Sequence, residues 1–97
     1  MARFLAGKAA VRDAREAATG EAAAARSSGA SNEELAALLV GDQKLPSMLA
    51  VRVLRDVTGT EPEEAAATIR PLLPKSQLRV YDRIVKKSLD KVLRSLD

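Results

Sequence analysis

The sequence predicts an all-α fold, with a long N-terminal helix over 1–28 and a compact four-helix core over 29–97. Three observations carry that expectation. The apolar residues recur at spacings of three and four, and no stretch of strand length alternates at period two. Alanine, the best helix former, dominates residues 2–27. Helix start and stop signals then recur down the rest of the chain.

The leading helix has Gly7 and Gly20 as its weak points, and Lys8, Arg12 and Arg15 share one face at i, i+4, i+7 spacing. Its apolar content is mostly methyl groups, so it is expected to pack loosely or to order fully only on a partner. Ser27-Ser28-Gly29-Ala30 breaks the pattern. Ser31-Asn32-Glu33-Glu34 is a capping box that starts a short helix over 32–40, which stops at Gly41-Asp42. Pro46 suits the first turn of the next helix, where its missing donor costs nothing. That helix runs to Val57, and Thr58-Gly59 ends it. Thr60-Glu61-Pro62-Glu63 reads as a second capping box, and Pro71 and Pro74 close the helix that it opens. Ser76 is expected to cap one last helix over 77–96. Its stripe is Leu78, Tyr81, Val85, Leu89, Val92 and Leu96, flanked by Ile84 and Leu93. The expected core rests on Leu38, Val53, Leu54, Ile69, Leu72 and Tyr81.

At 97 residues the chain makes one domain at most. Its only aromatics are Phe4 and Tyr81, so the core must be aliphatic. Cysteine and histidine are absent. Disulfides, the usual zinc and iron–sulfur sites, cysteine nucleophiles and imidazole acid–base chemistry are therefore excluded. No Gly-x-Ser-x-Gly elbow, P-loop or Gly-x-Gly-x-x-Gly occurs. Several serines are turn or cap residues, and Glu33/Glu34 and Glu61/Glu63/Glu64 fall in first turns, where carboxylates stabilise the helix dipole. The expectation is a non-enzyme without a cofactor or a metal. Apolar runs over 35–41 and 45–51 fall far below the ~20 residues that a membrane span requires. A cytoplasmic binding module with no membrane partner is the default reading.

Where the charge sits says more than its total. The net charge is +3, but residues 1–26 carry +2, residues 27–64 carry −4, Arg70 adds +1 and residues 75–97 carry +4. Two basic ends enclose an acidic middle. That polarity suits a polyanion lying along the terminal helices, because phosphate neutralisation by Lys and Arg releases counterions. Arg79, Arg83, Lys86, Lys87 and Arg94 lie opposite the apolar stripe of the last helix, interrupted by Asp90. An ordinary solvated helix face shows the same division. The turn Val57-Thr58-Gly59-Thr60-Glu61-Pro62 has a helix-hairpin-helix layout, in which exposed amides bind phosphate. Gly59 fits that use; Glu61 adds negative charge and Pro62 removes a donor. A corner that serves only packing reads equally well.

The order of these features resembles the integration host factor of actinobacteria, a small nucleoid protein unrelated in fold to the enterobacterial one. The likeness covers about residues 26–83. An Ala- and Arg-rich helix precedes Ser28-Gly29-Ala30-Ser31 and a short helix. Leu45, Met48, Val53-Leu54, Gly59 and Ala65 then follow in ungapped order, and Pro74, Leu78 and Arg79 resemble the family's Pro-x-x-x-Leu-Arg stretch. The resemblance implies a helix-two-turns-helix core and DNA binding without strong sequence preference. By position, Gly59 and Arg79 would be contacts. The family's Pro-Gly-Val-Gly-Lys hairpin is here Thr58-Gly59-Thr60-Glu61-Pro62, which lacks the second glycine and the lysine. Two family arginines beside Arg79 fall at Ser76 and Gln77, with Lys75 next door, and the basic helix over 77–96 exceeds the family's tail. A diverged relative, host- or phage-encoded, fits these departures.

The expected partner is therefore double-stranded DNA, bound non-specifically in the nucleoid by a nucleoid-associated or phage regulatory protein. Lys8, Arg12, Arg15, Arg26, Gly59, Lys75, Arg79, Arg83, Lys86 and Lys87 are the candidate contacts. The alternative is a protein-interaction module whose helix over 77–96 pairs with a partner or with itself. The destination of the stripe Val85, Leu89 and Val92 separates the two readings.

Overall fold

The computed structural model describes the backbone of residues 2–96 and the side chains of residues 12–96. Within them the fold is all-α, with six helices and no strand: α1 (Ala2–Ser27), α2 (Asn32–Ala37), α3 (Ser47–Thr58), α4 (Pro62–Ile69), α5 (Lys75–Lys87) and α6 (Leu89–Ser95). A π-helical turn, Leu38–Asp42, extends α2, and a 3-10 turn, Arg70–Leu72, extends α4.

Helix α3 is the hub. Its apolar face, Leu49, Ala50, Val51, Val53 and Leu54, is buried, and α1, α4 and α6 pack against the helix. Burial of each such Val or Leu contributes roughly 1.5–3 kcal/mol. Ala18 and Ala22 of α1 are fully buried in the same core, with Ala25 beside them. Small side chains let helices approach closely, so the described half of α1 is packed rather than loosely held. Of the expected core residues, Val53, Leu54, Ile69 and Tyr81 are buried. Leu38 is only half-buried because the π turn begins at it. Leu72 is 42% exposed because Pro71 in the 3-10 turn carries the chain away from the core. Leu35 and Leu39 are buried instead.

The helix ends follow the sequence in places and depart from it in others. Ser31 forms its capping box: Glu34 N–H donates to its hydroxyl, and Glu34 Oε1 accepts from Ser31 N–H, each at 3.1 Å. Gly59 caps α3 in the left-handed region at φ 73°, which glycine adopts without steric cost. Three other ends differ. Pro46 is the N-cap of α3, so the helix starts at Ser47. The second capping box does not form. Glu61 is the N-cap of α4 with no side-chain bond, since Thr60 is engaged with the Thr58 hydroxyl. Pro74, not Ser76, precedes α5.

The last helix is also not continuous. Ser88, at φ −148° and ψ 25°, divides it into α5 and α6. The break re-phases the apolar stripe. Leu93 becomes fully buried, while Val92 is half-buried. Helix α6 is held to the hub by Arg52, whose Nη1 donates to the Leu93 carbonyl at 2.7 Å and whose Nε donates to Asp56 at 2.8 Å. A guanidinium on a terminal carbonyl both satisfies that acceptor and complements the helix dipole. Helix α5 is pinned to α4 by the buried Tyr81, whose hydroxyl donates to the Ala66 carbonyl at 2.5 Å. Burial pushes the phenol up to about 12. A bidentate Arg70–Asp82 pair, at 2.8 Å for both bonds, spans the same joint in solvent. It holds the Asp82 carboxyl below its usual range. Among the described residues no helix is long and apolar enough to cross a membrane.

Candidate nucleic-acid interface

Helix α5 gathers the largest set of expected contacts. Lys75, Arg79, Arg83, Lys86 and Lys87 are all exposed. At ~100° per residue they occupy an arc of about 120°, and the steps of four residues between Lys75, Arg79, Arg83 and Lys87 space them ~6 Å apart along the axis. The buried Tyr81 and the half-buried Leu78 and Val85 fall on the other side. None of the five cations has a carboxylate partner among the described residues. The acid within α5, Asp82, is already matched by Arg70. The arc is thus a net positive surface with its charges free for a ligand.

The break at Ser88 extends that surface. Ser88 N–H donates to the Ile84 carbonyl at 2.8 Å and closes α5; Val92 N–H donates to the Ser88 carbonyl at 2.9 Å and opens α6. The change of direction brings Lys91 and Arg94 of α6 to the same cleft as Lys86 and Lys87. Lys91 was not among the expected contacts, and neither was Arg94. The signal for them lay in the apolar spacing: Tyr81, Val85, Leu89 and Leu93 step by four, and a straight helix drifts ~40° at each such step. A bend is what lets that series share one core.

The remaining candidates are placed differently. The side chain of Lys8 lies outside the described residues. Arg12 is exposed and Arg15 half-buried on α1, with Asp13 and Glu16 interleaved, so this stretch is mixed in charge. Arg26 is exposed, but its Nη1 donates to the Ala30 carbonyl at 3.0 Å and to Asn32 Oδ1 at 2.9 Å. It therefore braces the α1–α2 turn. Gly59 offers no open amide, because its N–H donates to the Arg55 carbonyl at 2.8 Å. Thr60 N–H turns inward to the Thr58 hydroxyl at 3.3 Å, and Pro62 has no donor. Exposed Glu61, Glu63 and Glu64 surround this corner. The hairpin corner has an acidic rim, and its Gly59 amide is engaged within the chain.

Set beside protein-family models, characterised proteins and solved structures, the chain has no match. Among the described residues no group of three or more acidic side chains is placed to hold a metal ion.

Proposed function

We propose that the chain is a non-enzymatic, nucleoid-associated or phage regulatory protein that binds double-stranded DNA through the phosphate backbone with little sequence preference. The observation that carries this reading is the unpaired cationic arc of α5, Lys75, Arg79, Arg83, Lys86 and Lys87, with Lys91 and Arg94 beyond the bend. Flexible lysines and arginines in open solvent contact phosphates and carry no base code of their own. A single strand is the poorer ligand, because among the described residues no aromatic is open for stacking: Tyr81 is 2% exposed with its hydroxyl engaged. In this reading α2 to α5 correspond to the helix-two-turns-helix unit of the actinobacterial integration host factor, with the hairpin retired from DNA contact and its role passed to the longer basic C-terminal helices.

The interaction-module alternative needs a free apolar stripe. Leu89 is 6% exposed, Leu93 is fully buried, and Val85 and Leu96 pack against the core. Of the three deciding residues only Leu89 is buried, while Val85 and Val92 are half-buried, so the stripe is spent only in part within the monomer. Fluorescence anisotropy of a labelled random duplex over a salt series tests the DNA reading. One phosphate contact from each of the five α5 cations gives a slope of log K against log salt of about −4 to −5, and a loss of roughly three orders of magnitude between about 50 and about 300 mM. Affinity that holds constant across that range contradicts the proposal.

A further inference from the structure

The elbow between α5 and α6 is concave. A cleft of about 300 Å³ opens there, at the lower end of the ~300–1,000 Å³ range of small-ligand sites. Lys86 and Lys87 come from one arm, Lys91 and Arg94 from the other. Two carboxylates, Glu63 and Asp90, also border it, leaving the lining with more positive than negative charge. Arg94 Nε donates to the Asp90 carbonyl at 3.4 Å, so the guanidinium is oriented on α6 while its Nη groups keep their donors for a ligand. Leu89, 6% exposed, gives the cleft an apolar wall. Four cations against two carboxylates leave the cleft with a net positive charge that draws an anion.

We infer that this elbow is a discrete phosphate-anchoring site, which seats one phosphate group between the two arms, while Lys75 and Arg79 meet phosphates only as a diffuse row. Its ligand is recognised through phosphate oxygens alone, since the cleft holds no aromatic side chain to stack a base. The inference rests on the DNA-binding reading for its biological ligand, a backbone phosphate; a free oligophosphate has the same chemistry and serves as the probe.

The test uses the full chain, titrated with inorganic tripolyphosphate at about 150 mM salt, with amide chemical shifts as the readout. Saturable shifts confined to residues 85–94 are expected. Two double variants of equal charge change follow: Lys91→Gln/Arg94→Gln at the elbow and Lys75→Gln/Arg79→Gln at the far end of α5. The elbow pair should weaken tripolyphosphate at least tenfold and the far pair less than twofold. Glu63→Gln should tighten it. Shifts spread evenly along 75–94, or equal losses from the two pairs, overturn the inference. Duplex DNA is the second arm. Equal DNA losses from both pairs, with tripolyphosphate still confined to the elbow, assign the site to free oligophosphates rather than to DNA. If the wild-type chain binds no DNA, the functional reading falls, and the tripolyphosphate arm still decides the elbow.

Discussion

Two helix corners of this chain have opposite surroundings. At the α3–α4 corner, Gly59 turns the chain in the left-handed region and a free helix start follows, the arrangement that phosphate-binding hairpins use. Its Gly59 and Thr60 amides are consumed internally, and Glu61, Glu63 and Glu64 ring it. The α5–α6 corner has no glycine and no proline, yet it collects Lys86, Lys87, Lys91 and Arg94 around one cleft. On the proposed reading, turn geometry alone does not make an anion site. Donors must be left unspent, and the surrounding charge must favour the ligand.

The comparison breaks most severely if the frame that holds both corners fails. Leu54 is 1% exposed on the hub helix α3. Leu54→Ala should cost ~2–5 kcal/mol, measured by urea unfolding; a midpoint equal to wild type would remove α3 from the centre of the fold. Next in size is Tyr81, which fastens α5 to α4. Tyr81→Phe deletes the bond to the Ala66 carbonyl and should cost ~0.5–1.5 kcal/mol at neutral pH. The pH dependence has a definite sign. Burial raises the phenol from 10.0 to about 12, so the folded chain keeps a proton that the unfolded chain loses. The Tyr81 contribution is intact below about pH 10 and declines as pH rises towards 12. Thermal melts of wild type and Tyr81→Phe should converge over that window, and parallel curves would show the phenol to be solvated.

A stability effect comparable to that of Tyr81 belongs to the acidic corner. A Cβ at Gly59 meets nothing within 4 Å, so Gly59→Ala is penalised by backbone conformation alone. The left-handed region costs an L-residue ~1–2 kcal/mol, part of which is offset by the stiffer unfolded chain. A cost of about 1 kcal/mol with unchanged DNA affinity is expected. Weaker DNA binding at unchanged stability would return the hairpin to the interface.

Legibility in the sequence followed the same divide. Helix ends set by local chemistry were readable: Ser31 with Glu34, Gly59, and Pro62 in a first turn all stand where the residues place them. The break at Ser88 was harder to read, because Lys86 to Asp90 contain no breaker and only the four-residue steps of Tyr81, Val85, Leu89 and Leu93 point to a bend. Leu93 rather than Val92 takes the buried position, and Arg52 of α3 donates to its carbonyl. Thr60 was misread for a related reason, since a capping motif shows a hydroxyl but not the Thr58 hydroxyl that competes for it. The cationic arc of α5 was visible as spacing. Arg94 was visible on the same face, whereas the place of Lys91 depended on the bend. Alanine's place in the core was undervalued because area per side chain ignores how closely two helices approach when Ala18 and Ala22 lie between them.

The central claim is that a polyanion is held by the α5–α6 surface and not by the hairpin corner. The most direct measurement compares the salt slope of duplex binding for Arg79→Gln/Arg83→Gln and for Glu61→Gln/Glu64→Gln against wild type. Each phosphate contact removed should lower the slope by about one. The expected result is a slope shallower by about two for the arginine pair and unchanged for the glutamate pair. An unchanged slope for the arginine pair, with a steeper one for the glutamate pair, would contradict it and move the interface to the hairpin.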